Sequence, residues 1–318
     1  MNSTPFVIKY RPKTIEDFIG DEMLMTTLRG FVEKKFIPNI CIYGSNGVGK
    51  TCIIECLIKK LYHPNNRGAI IEFSTCDDRG IKIMEQLDFF NKKKITFEEG
   101  YMEQKLIIFD NADNLSENVQ QLINLSMCKY KNTSIILICN NSTGILESLQ
   151  SRCIKLFFSN IPDCEIIKKV KMICLNENIQ IHDDEAILYI FNMLKRDIRA
   201  TYNLLELFAM NQKKINISNT NKLLGIPSQQ IFNKLEQHIV EKNVSQACSI
   251  IHFFDIKGYY ALDILFYFIN YIVYLSKIEE EKKIKMLELY GNHAYLMSKT
   301  TNNYIQLMSV IFQSIEIL

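Results

Sequence analysis

The chain has 318 residues, of which 47% are hydrophobic, enough for two or three domains that each bury their own core. Lysine and arginine number 37 against 35 aspartate and glutamate, so the formal net charge of +2 excludes a globally basic surface. Ten cysteines occur without a Cys-x-x-Cys pair or a Cys/His cluster, which argues against a zinc ribbon and a disulfide framework.

The N-terminus has no basic stretch followed by an apolar segment, so we predict no secretory signal. The most apolar stretch, residues 264–275, is too short to span a bilayer and predicts a buried helix. We therefore expect a protein of the nucleus or cytoplasm, in a reducing compartment, without a membrane partner.

Apolar runs alternate with amphipathic segments in the first half of the chain. Runs of strand character occupy residues 39–43, 69–73, 105–109, 134–139 and 153–158. Strands that alternate with helices pair in a parallel sheet, since each crossover helix returns the chain to the same end of the sheet. We predict an α/β domain with a parallel sheet over residues 1–160.

The apolar spacing changes beyond residue 160. Segments 165–176 and 184–194 have the i, i+3, i+4 spacing of helices. The Gly-Ile-Pro sequence at 225–227 is the clearest turn signal in the second half, and helical stretches follow it. We predict a small helical domain over residues 161–226 and an all-helical domain over residues 227–318.

A phosphate-binding loop follows the first apolar run. It matches the pattern Gly-x-x-x-x-Gly-Lys-Thr and comprises Gly44, Ser45, Asn46, Gly47, Val48, Gly49, Lys50 and Thr51, with Cys52 next in a predicted helix. Glycines let successive N–H groups face phosphate oxygens, and the helix adds its positive end. We predict that this loop binds ATP, with Lys50 on the β- and γ-phosphates and Thr51 on Mg²⁺.

A second element supports the nucleotide site. Asp110 ends the apolar run at 105–109, the position from which a carboxylate organises Mg²⁺ in phosphoryl-transfer sites. Thr51 and Asp110 are therefore the predicted metal ligands. The alternative is a strand that merely ends at an aspartate.

Further motifs stand in one order along nearly the whole chain. They are Lys-Tyr-Arg-Pro at 9–12, Asp-Phe-Ile-Gly at 17–20, Ser-Thr-Cys-Asp-Asp-Arg-Gly at 74–80, Asp-Asn-Ala-Asp at 110–113, Ile-Cys-Asn at 138–140, Gln-Ser-Arg-Cys at 150–153 and Asp-Ile-Arg at 197–199. Together with the phosphate loop they resemble the small subunits of the replication factor C clamp loader, a family of AAA+ ATPases. The resemblance implies an AAA+ domain, a helical lid and a helical C-terminal collar that joins subunits.

The resemblance also implies residue roles. Asn140 is similar to the sensor-1 residue near the γ-phosphate, and Arg152 to the arginine finger that acts on ATP of the neighbouring subunit. Arg199 resembles sensor 2 on the lid, with Arg196 as its rival. The N-terminal segment that passes the adenine comprises Tyr10, Arg11, Pro12, Phe18 and Ile19. The alternative for this segment is simple packing of an N-terminal arm.

Two departures from the family pattern affect the predicted chemistry. Asn111 stands where the family usually has a glutamate that polarises the attacking water, and an amide cannot accept a proton. We therefore expect ATP binding with weak intrinsic hydrolysis, and whether the chain is itself an enzyme stays open. Asn124 and Leu125 replace a usual arginine pair and Glu85 a usual basic residue, which puts DNA tracking by this subunit in doubt.

Candidate surfaces for DNA and for a clamp lie in residues 79–94. Arg79, Lys82 and the lysines at 92–94 would give salt-sensitive phosphate contacts, or form a solvated loop. Leu87, Phe89 and Phe90 would present an apolar wedge to a sliding clamp, or pack in the core at helical spacing.

The predicted function is that of a small subunit in a replication factor C-like clamp loader. The expected partners are other clamp-loader subunits in a hetero-oligomeric, pentameric ring, a sliding clamp and primer-template DNA. One alternative is a nucleotide-binding structural subunit that donates Arg152 without hydrolysing ATP. Another AAA+ switch, such as an origin-binding initiator, is a second. The ring position and the clamp served stay open.

Overall fold

The computed structural model describes residues 4–18, 20–74, 80–130, 132–211, 214–274, 278–299 and 303–317. Packing divides the chain into two compact units, residues 1–216 and residues 217–318. The three-domain division at residues 160 and 226 stays a prediction.

The first unit contains a five-stranded parallel sheet. Its strands are β1 (Ile40–Gly44), β2 (Ile70–Ser74), β3 (Lys105–Asp110), β4 (Thr133–Cys139) and β5 (Ile154–Phe158). Their order is β2-β3-β4-β1-β5. Because β3, β4 and β1 are consecutive parallel strands in this order, their carboxyl ends are neighbours at one edge of the sheet. Open α/β sheets bind ligands at this edge.

Helices cover both faces of the sheet. After α1 (Phe6–Lys9) in the N-terminal segment, these are in chain order α2 (Glu22–Lys34), α3 (Lys50–Leu61), α4 (Gly80–Lys92), α5 (Glu117–Lys129) and α6 (Glu147–Gln150). The strands alternate between two cores. Ile42 of β1 packs with Leu28 and Ile53 on one face, whereas Phe109 of β3 packs with Ile123 on the other. Burial on both faces explains why the strands read as continuous apolar runs.

The rest of the first unit is helical. It contains α7 (Asp163–Asn176), α8 (Asp184–Met193) and α9 (Ile198–Met210). Asp197 begins α9 as its N-cap, because its carboxylate accepts a hydrogen bond from the Ala200 N–H at 3.1 Å. This cap fixes the start of α9, and with it the position of Arg199.

The second unit contains six helices among its described residues. They are α10 (Ile217–Leu224), α11 (Gln229–Val240), α12 (Val244–Ile256), α13 (Ala261–Tyr274), α14 (Glu280–Lys299) and α15 (Asn303–Ile317). Phe232 stacks on Phe268 with ring centroids 5.9 Å apart, at the centre of a core to which five of these helices contribute. The apolar stretch at 264–275 overlaps α13, where Ile264, Leu265 and Phe268 are buried.

The architecture confirms the predicted fold class: a parallel α/β sheet followed by helical regions. Within the described ranges, no helix combines the length and the apolar character needed to cross a membrane.

Candidate nucleotide-binding site

The loop between β1 and α3 has a backbone that requires glycine at two positions. Gly47 and Gly49 have φ angles of 72° and 96°, in the left-handed region. A methyl group on Gly47 would lie 1.9 Å from the Asp197 Oδ1, and one on Gly49 2.6 Å from the Phe18 ring. The loop is therefore packed between α9 and the N-terminal segment, and it leads directly into the N-terminus of α3, where N–H groups attract anions.

Lys50 is a buried cation at the base of this loop, with 7% of its surface exposed. Its Nζ donates hydrogen bonds to the backbone oxygens of Gly44 at 2.7 Å and Ser45 at 2.8 Å, and to the Asn140 Oδ1 at 2.9 Å. Burial lowers the pKa of the Lys50 ammonium, and the nearby Asp113 carboxylate is among the groups that oppose this shift. These three hydrogen-bond acceptors are neutral oxygens, so the positive charge is available to a phosphate.

Thr51 and Asp110 face each other across the cavity floor. The Thr51 hydroxyl lies 3.3 Å from the Asp110 Oδ2, and the Asn111 N–H donates to the Asp110 Oδ1 at 3.0 Å. Among the described residues no group of three or more His, Cys, Asp or Glu side chains could hold a metal by itself. One hydroxyl and one carboxylate fit Mg²⁺, which keeps several waters and shares its coordination with nucleotide phosphates.

Asn140 follows β4 and is held in place by Asp113. The Asp113 Oδ2 accepts hydrogen bonds from the backbone N–H groups of Asn140 at 3.1 Å and Asn141 at 3.4 Å. The Asp113 Oδ1 is buried without a hydrogen-bond partner among the described residues. Asp113 belongs to the Asp-Asn-Ala-Asp motif at 110–113, from which no role was predicted for it. Its position three residues after Asp110 was the sequence feature that could have marked it as a site residue.

A cavity of about 480 Å³ opens over these groups, within the range of small-molecule sites. The predicted site residues that line it are Arg11, Pro12, Phe18, Asn46, Gly47, Val48, Gly49, Lys50, Thr51, Cys52, Asp110, Asn111, Asn140 and Arg199. Sequence reasoning missed the lining residues Val7, Ile8, Asp17, Ile161, Lys169, Asp197, Ile198 and Tyr202. Asp17, Asp197 and Ile198 stand within quoted motifs but had no predicted role, whereas the others lie in no motif.

Tyr10 does not line the cavity. Its hydroxyl instead donates to the Glu177 Oε1 at 2.5 Å, beside the Lys9 ammonium at 2.6 Å from the same oxygen. Arg11 does line the cavity and forms an ion pair with Glu55 at 2.5 Å. Ile19, the remaining predicted contact of the N-terminal segment, lies outside the described residues.

Arg199 and Arg196 have different surroundings. Arg199 lines the cavity from the first turn of α9. Arg196 is bonded to Asp163 and to the Ile161 backbone oxygen, and its guanidinium carbon lies 5.0 Å from the Phe191 ring centre. Because these contacts hold Arg196 away from the cavity, Arg199 is the better candidate for contact with a nucleotide.

Arg152 is exposed, lies outside the cavity and is the second residue after α6. Its neighbour Gln150 is fixed by hydrogen bonds from Nε2 to the backbone oxygens of Ser142 and Ile145, both at 2.7 Å. No ion pair of the Arg152 guanidinium is found in the part of the chain that the structure describes. Because Gln150 is fixed by hydrogen bonds and Arg152 is exposed, the Arg152 guanidinium is accessible to another molecule.

The aromatic pair on α4 is divided between surface and core. Phe89 is 75% exposed, whereas Leu87 and Phe90 are buried. The helical spacing therefore places only Phe89 at the surface. The lysines at 92–94 are exposed, while Arg79 and the side chain of Lys82 lie outside what the structure describes.

Comparisons with known proteins identify the families that this chain resembles. Residues 40–160 match the model of the ATPase family associated with various cellular activities, and residues 227–313 match the replication factor C C-terminal domain. Replication factor C small subunit 2 of Pyrobaculum islandicum is 31% identical over 79% of this chain and 78% of its own length. Replication factor C subunit 4 of Saccharomyces cerevisiae is 28% identical over 96% and 94% of the two chains.

A solved structure of a point variant of Thermotoga maritima RuvB resembles this chain in fold. Its TM-score is 0.52 at 17% identity, over 74% of this chain and 80% of the other. At this identity the likeness concerns the fold alone. The family identity rests on the sequence relatives, and by these the chain belongs to the replication factor C small subunits, with an AAA ATPase domain and a replication factor C C-terminal domain.

Proposed function

We propose that this chain is a nucleotide-binding subunit of a clamp loader, which binds ATP with Mg²⁺ and helps to open a sliding clamp and load it onto primer-template DNA. Within this proposal, the subunit works in a pentameric ring with other, non-identical subunits. The observation that carries it is the convergence of Lys50, Thr51, Asp110 and Asn140 at one cavity, with Arg152 exposed elsewhere on the same domain.

Each group at the cavity has a defined part in this proposal. N–H groups at the start of α3 and the Lys50 ammonium hold the phosphates. The Asn140 side-chain amide, whose backbone N–H is held by Asp113 and whose oxygen accepts from Lys50, faces the terminal phosphate. Bound Mg²⁺ would neutralise charge on the phosphates, and Thr51 and Asp110 would hold it. Arg199 links the position of α9 to the nucleotide.

Arg152 serves a neighbouring site in this proposal. A planar guanidinium stabilises the charge that develops during phosphoryl transfer, and it acts in trans when a partner supplies it. Because Arg152 is exposed and does not line its own cavity, it is available to the nucleotide of an adjacent subunit. Phe89 is the exposed apolar side chain that we propose for the clamp contact, and the lysines at 92–94 for DNA phosphates.

The decisive experiment is ATP hydrolysis and clamp loading by the chain reconstituted with its partner subunits, a sliding clamp and primed DNA. We expect primed DNA and clamp to stimulate hydrolysis, and Phe89→Ala to weaken clamp binding, with Phe36→Ala, another exposed phenylalanine, as the control. A reconstituted complex that neither binds the clamp nor responds to primed DNA would contradict the proposal.

A structural subunit that binds nucleotide without hydrolysing it is the second candidate. Asn111 favours it, because the residue lines the cavity with an amide where a general base would otherwise stand. This version keeps the ring and the donated Arg152 and differs only in turnover at its own site. The two versions separate in the Asn111 experiment described in the Discussion.

A further inference from the structure

The N-terminal arm, residues 4–12, forms one wall of the nucleotide cavity. Val7, Ile8, Arg11 and Pro12 line the cavity from this side. The helices of the first unit that follow the sheet form the lid, and they contribute the facing residues Lys169, Asp197, Ile198, Arg199 and Tyr202. A nucleotide bound in this cavity would therefore lie against both the arm and the lid.

Three hydrogen bonds tie the arm to the lid. The Phe6 N–H donates to the Glu206 Oε2 at 3.2 Å on α9. The Lys9 ammonium and the Tyr10 hydroxyl both donate to the Glu177 Oε1, at 2.6 and 2.5 Å, just beyond the end of α7. Glu177 therefore holds two successive arm residues through one oxygen.

The next residues of the arm bind the sheet domain instead. Arg11 pairs with Glu55 of α3 at 2.5 Å, and the Pro12 backbone oxygen accepts from the Cys56 thiol at 3.4 Å. The arm thus changes partners between Tyr10 and Arg11. The Glu177 contacts therefore join the arm to the lid, and the Glu55 contact joins it to the sheet domain.

We propose that Glu177, with Tyr10 as its donor, is a positioning residue that locks the N-terminal arm onto the lid and so sets how long a nucleotide stays bound. The inference rests on the proposed nucleotide binding and adds a role for two residues outside the cavity. Only 17% of the Glu177 side chain is exposed, so water competes weakly for its oxygens. Hydrogen bonds from Lys9 and Tyr10 hold the pKa of the Glu177 carboxyl below its usual range, so it is ionised at neutral pH and bonds as a charged acceptor.

The test compares native chain, Glu177→Gln, Tyr10→Phe and the double variant. Stopped-flow displacement of a fluorescent N-methylanthraniloyl-ADP with Mg²⁺ gives dissociation rates, and binding traces give association rates. We expect each single variant to dissociate about tenfold faster, as for loss of a charge-assisted hydrogen bond, with association nearly unchanged. The double variant should accelerate dissociation by less than the product of the two single effects, because the two side chains share one hydrogen bond, which a glutamine oxygen at position 177 can still accept in weaker, uncharged form.

Matched controls separate this role from general stability. Glu165→Gln removes another lysine-paired carboxylate on α7, bonded to Lys168 at 2.8 Å, and should leave the rates unchanged. Lys9→Met removes the second, exposed donor and serves if Glu177→Gln folds poorly. Native dissociation rates in Glu177→Gln, or equal acceleration by Glu165→Gln, would overturn the lock. Failure of the native chain to bind the probe would instead overturn the proposed nucleotide site.

Discussion

The buried Lys50 side chain favours phosphate binding but reduces the stability of the unliganded chain. Because burial lowers its pKa, the charged form is less favourable in the folded chain than in the unfolded one. When the pKa of a lysine is lower in the folded chain than in the unfolded chain, the free energy of unfolding is reduced at every pH below the folded pKa. This loss of stability disappears as the pH rises toward the pKa of the unfolded chain, about 10.4. A bound phosphate would relieve it.

We expect Lys50→Met to abolish ATP binding and to change the unfolding free energy of the unliganded chain little, because removal of the buried charge offsets the loss of its three hydrogen bonds. Isothermal titration calorimetry measures the first and urea unfolding the second. The difference in stability between native chain and variant should shift in favour of the native chain as the pH rises from 7 toward about 10. A variant that retains ATP affinity would contradict the role of Lys50.

Asn111 lacks a carboxylate that could act as a general base, but its backbone conformation is one that asparagine adopts readily. Its φ angle is 53°, a left-handed conformation that asparagine adopts more readily than most residues. A glutamate would meet a cost of roughly 1 kcal/mol there. The backbone conformation at position 111 therefore favours asparagine over glutamate, apart from any effect on catalysis.

Asn111→Glu should raise hydrolysis by about 100-fold, the lower range for a positioned general base, while it lowers the melting temperature slightly. Asn111→Gln, of the same length but without a carboxylate, is the matched control and should hydrolyse as slowly as the native chain. The measurement is steady-state phosphate release with partner subunits present. Equal rates for the native chain and Asn111→Glu would show that Asn111 does not limit turnover.

At the scale of elements, a single lysine fixes the end of α4. The Lys105 ammonium donates to the backbone oxygens of Phe90 and Asn91 at 2.8 Å and of Lys93 at 2.6 Å. Phe90 and Asn91 are in the last turn of α4, where carbonyls have no partner within the helix, and Lys93 directly follows the helix. Lys105 thus connects the start of β3 to the helix that presents Phe89.

Lys105→Met should therefore reduce the free energy of unfolding by about 1–2 kcal/mol, measured by urea denaturation. Lys94→Met changes an exposed lysine nearby and should have little effect. If the two variants unfold alike, the three carbonyl contacts do not stabilise α4.

At the scale of the whole molecule, we expect Arg152 to affect ATP hydrolysis at a neighbouring subunit but not ATP binding by its own chain. Arg152 lies outside its own cavity, so nucleotide binding by the isolated chain should not depend on it. In an assembled ring its removal should affect a neighbouring site.

Arg152→Ala should leave ATP affinity of the isolated chain unchanged and reduce hydrolysis at the neighbouring site about 1,000-fold. Arg67→Ala, at another exposed arginine, provides the control. Single-turnover hydrolysis in a complex in which the neighbour is the only hydrolysing subunit checks this. Lost ATP binding by the isolated variant would place Arg152 at its own site and contradict action in trans.

The sequence by itself determined the sheet, the phosphate loop and the helical second half. These are encoded by local spacing: apolar runs for β1 to β5, glycines at 47 and 49, and helical periodicity beyond residue 160. Asp110 and Asn140 were also predictable, because residues that end adjacent parallel strands meet at one edge of the sheet.

Only the tertiary structure decided the partners of polar side chains that lie far apart in the chain. Tyr10 was expected at the adenine, yet Glu177 lies 167 positions away and accepts its hydroxyl. The family resemblance favoured Arg199 and left Arg196 as its rival, and the structure shows Asp163 and Phe191 holding Arg196. Such contacts depend on how helices pack against the arm, and no local pattern of residues records that packing.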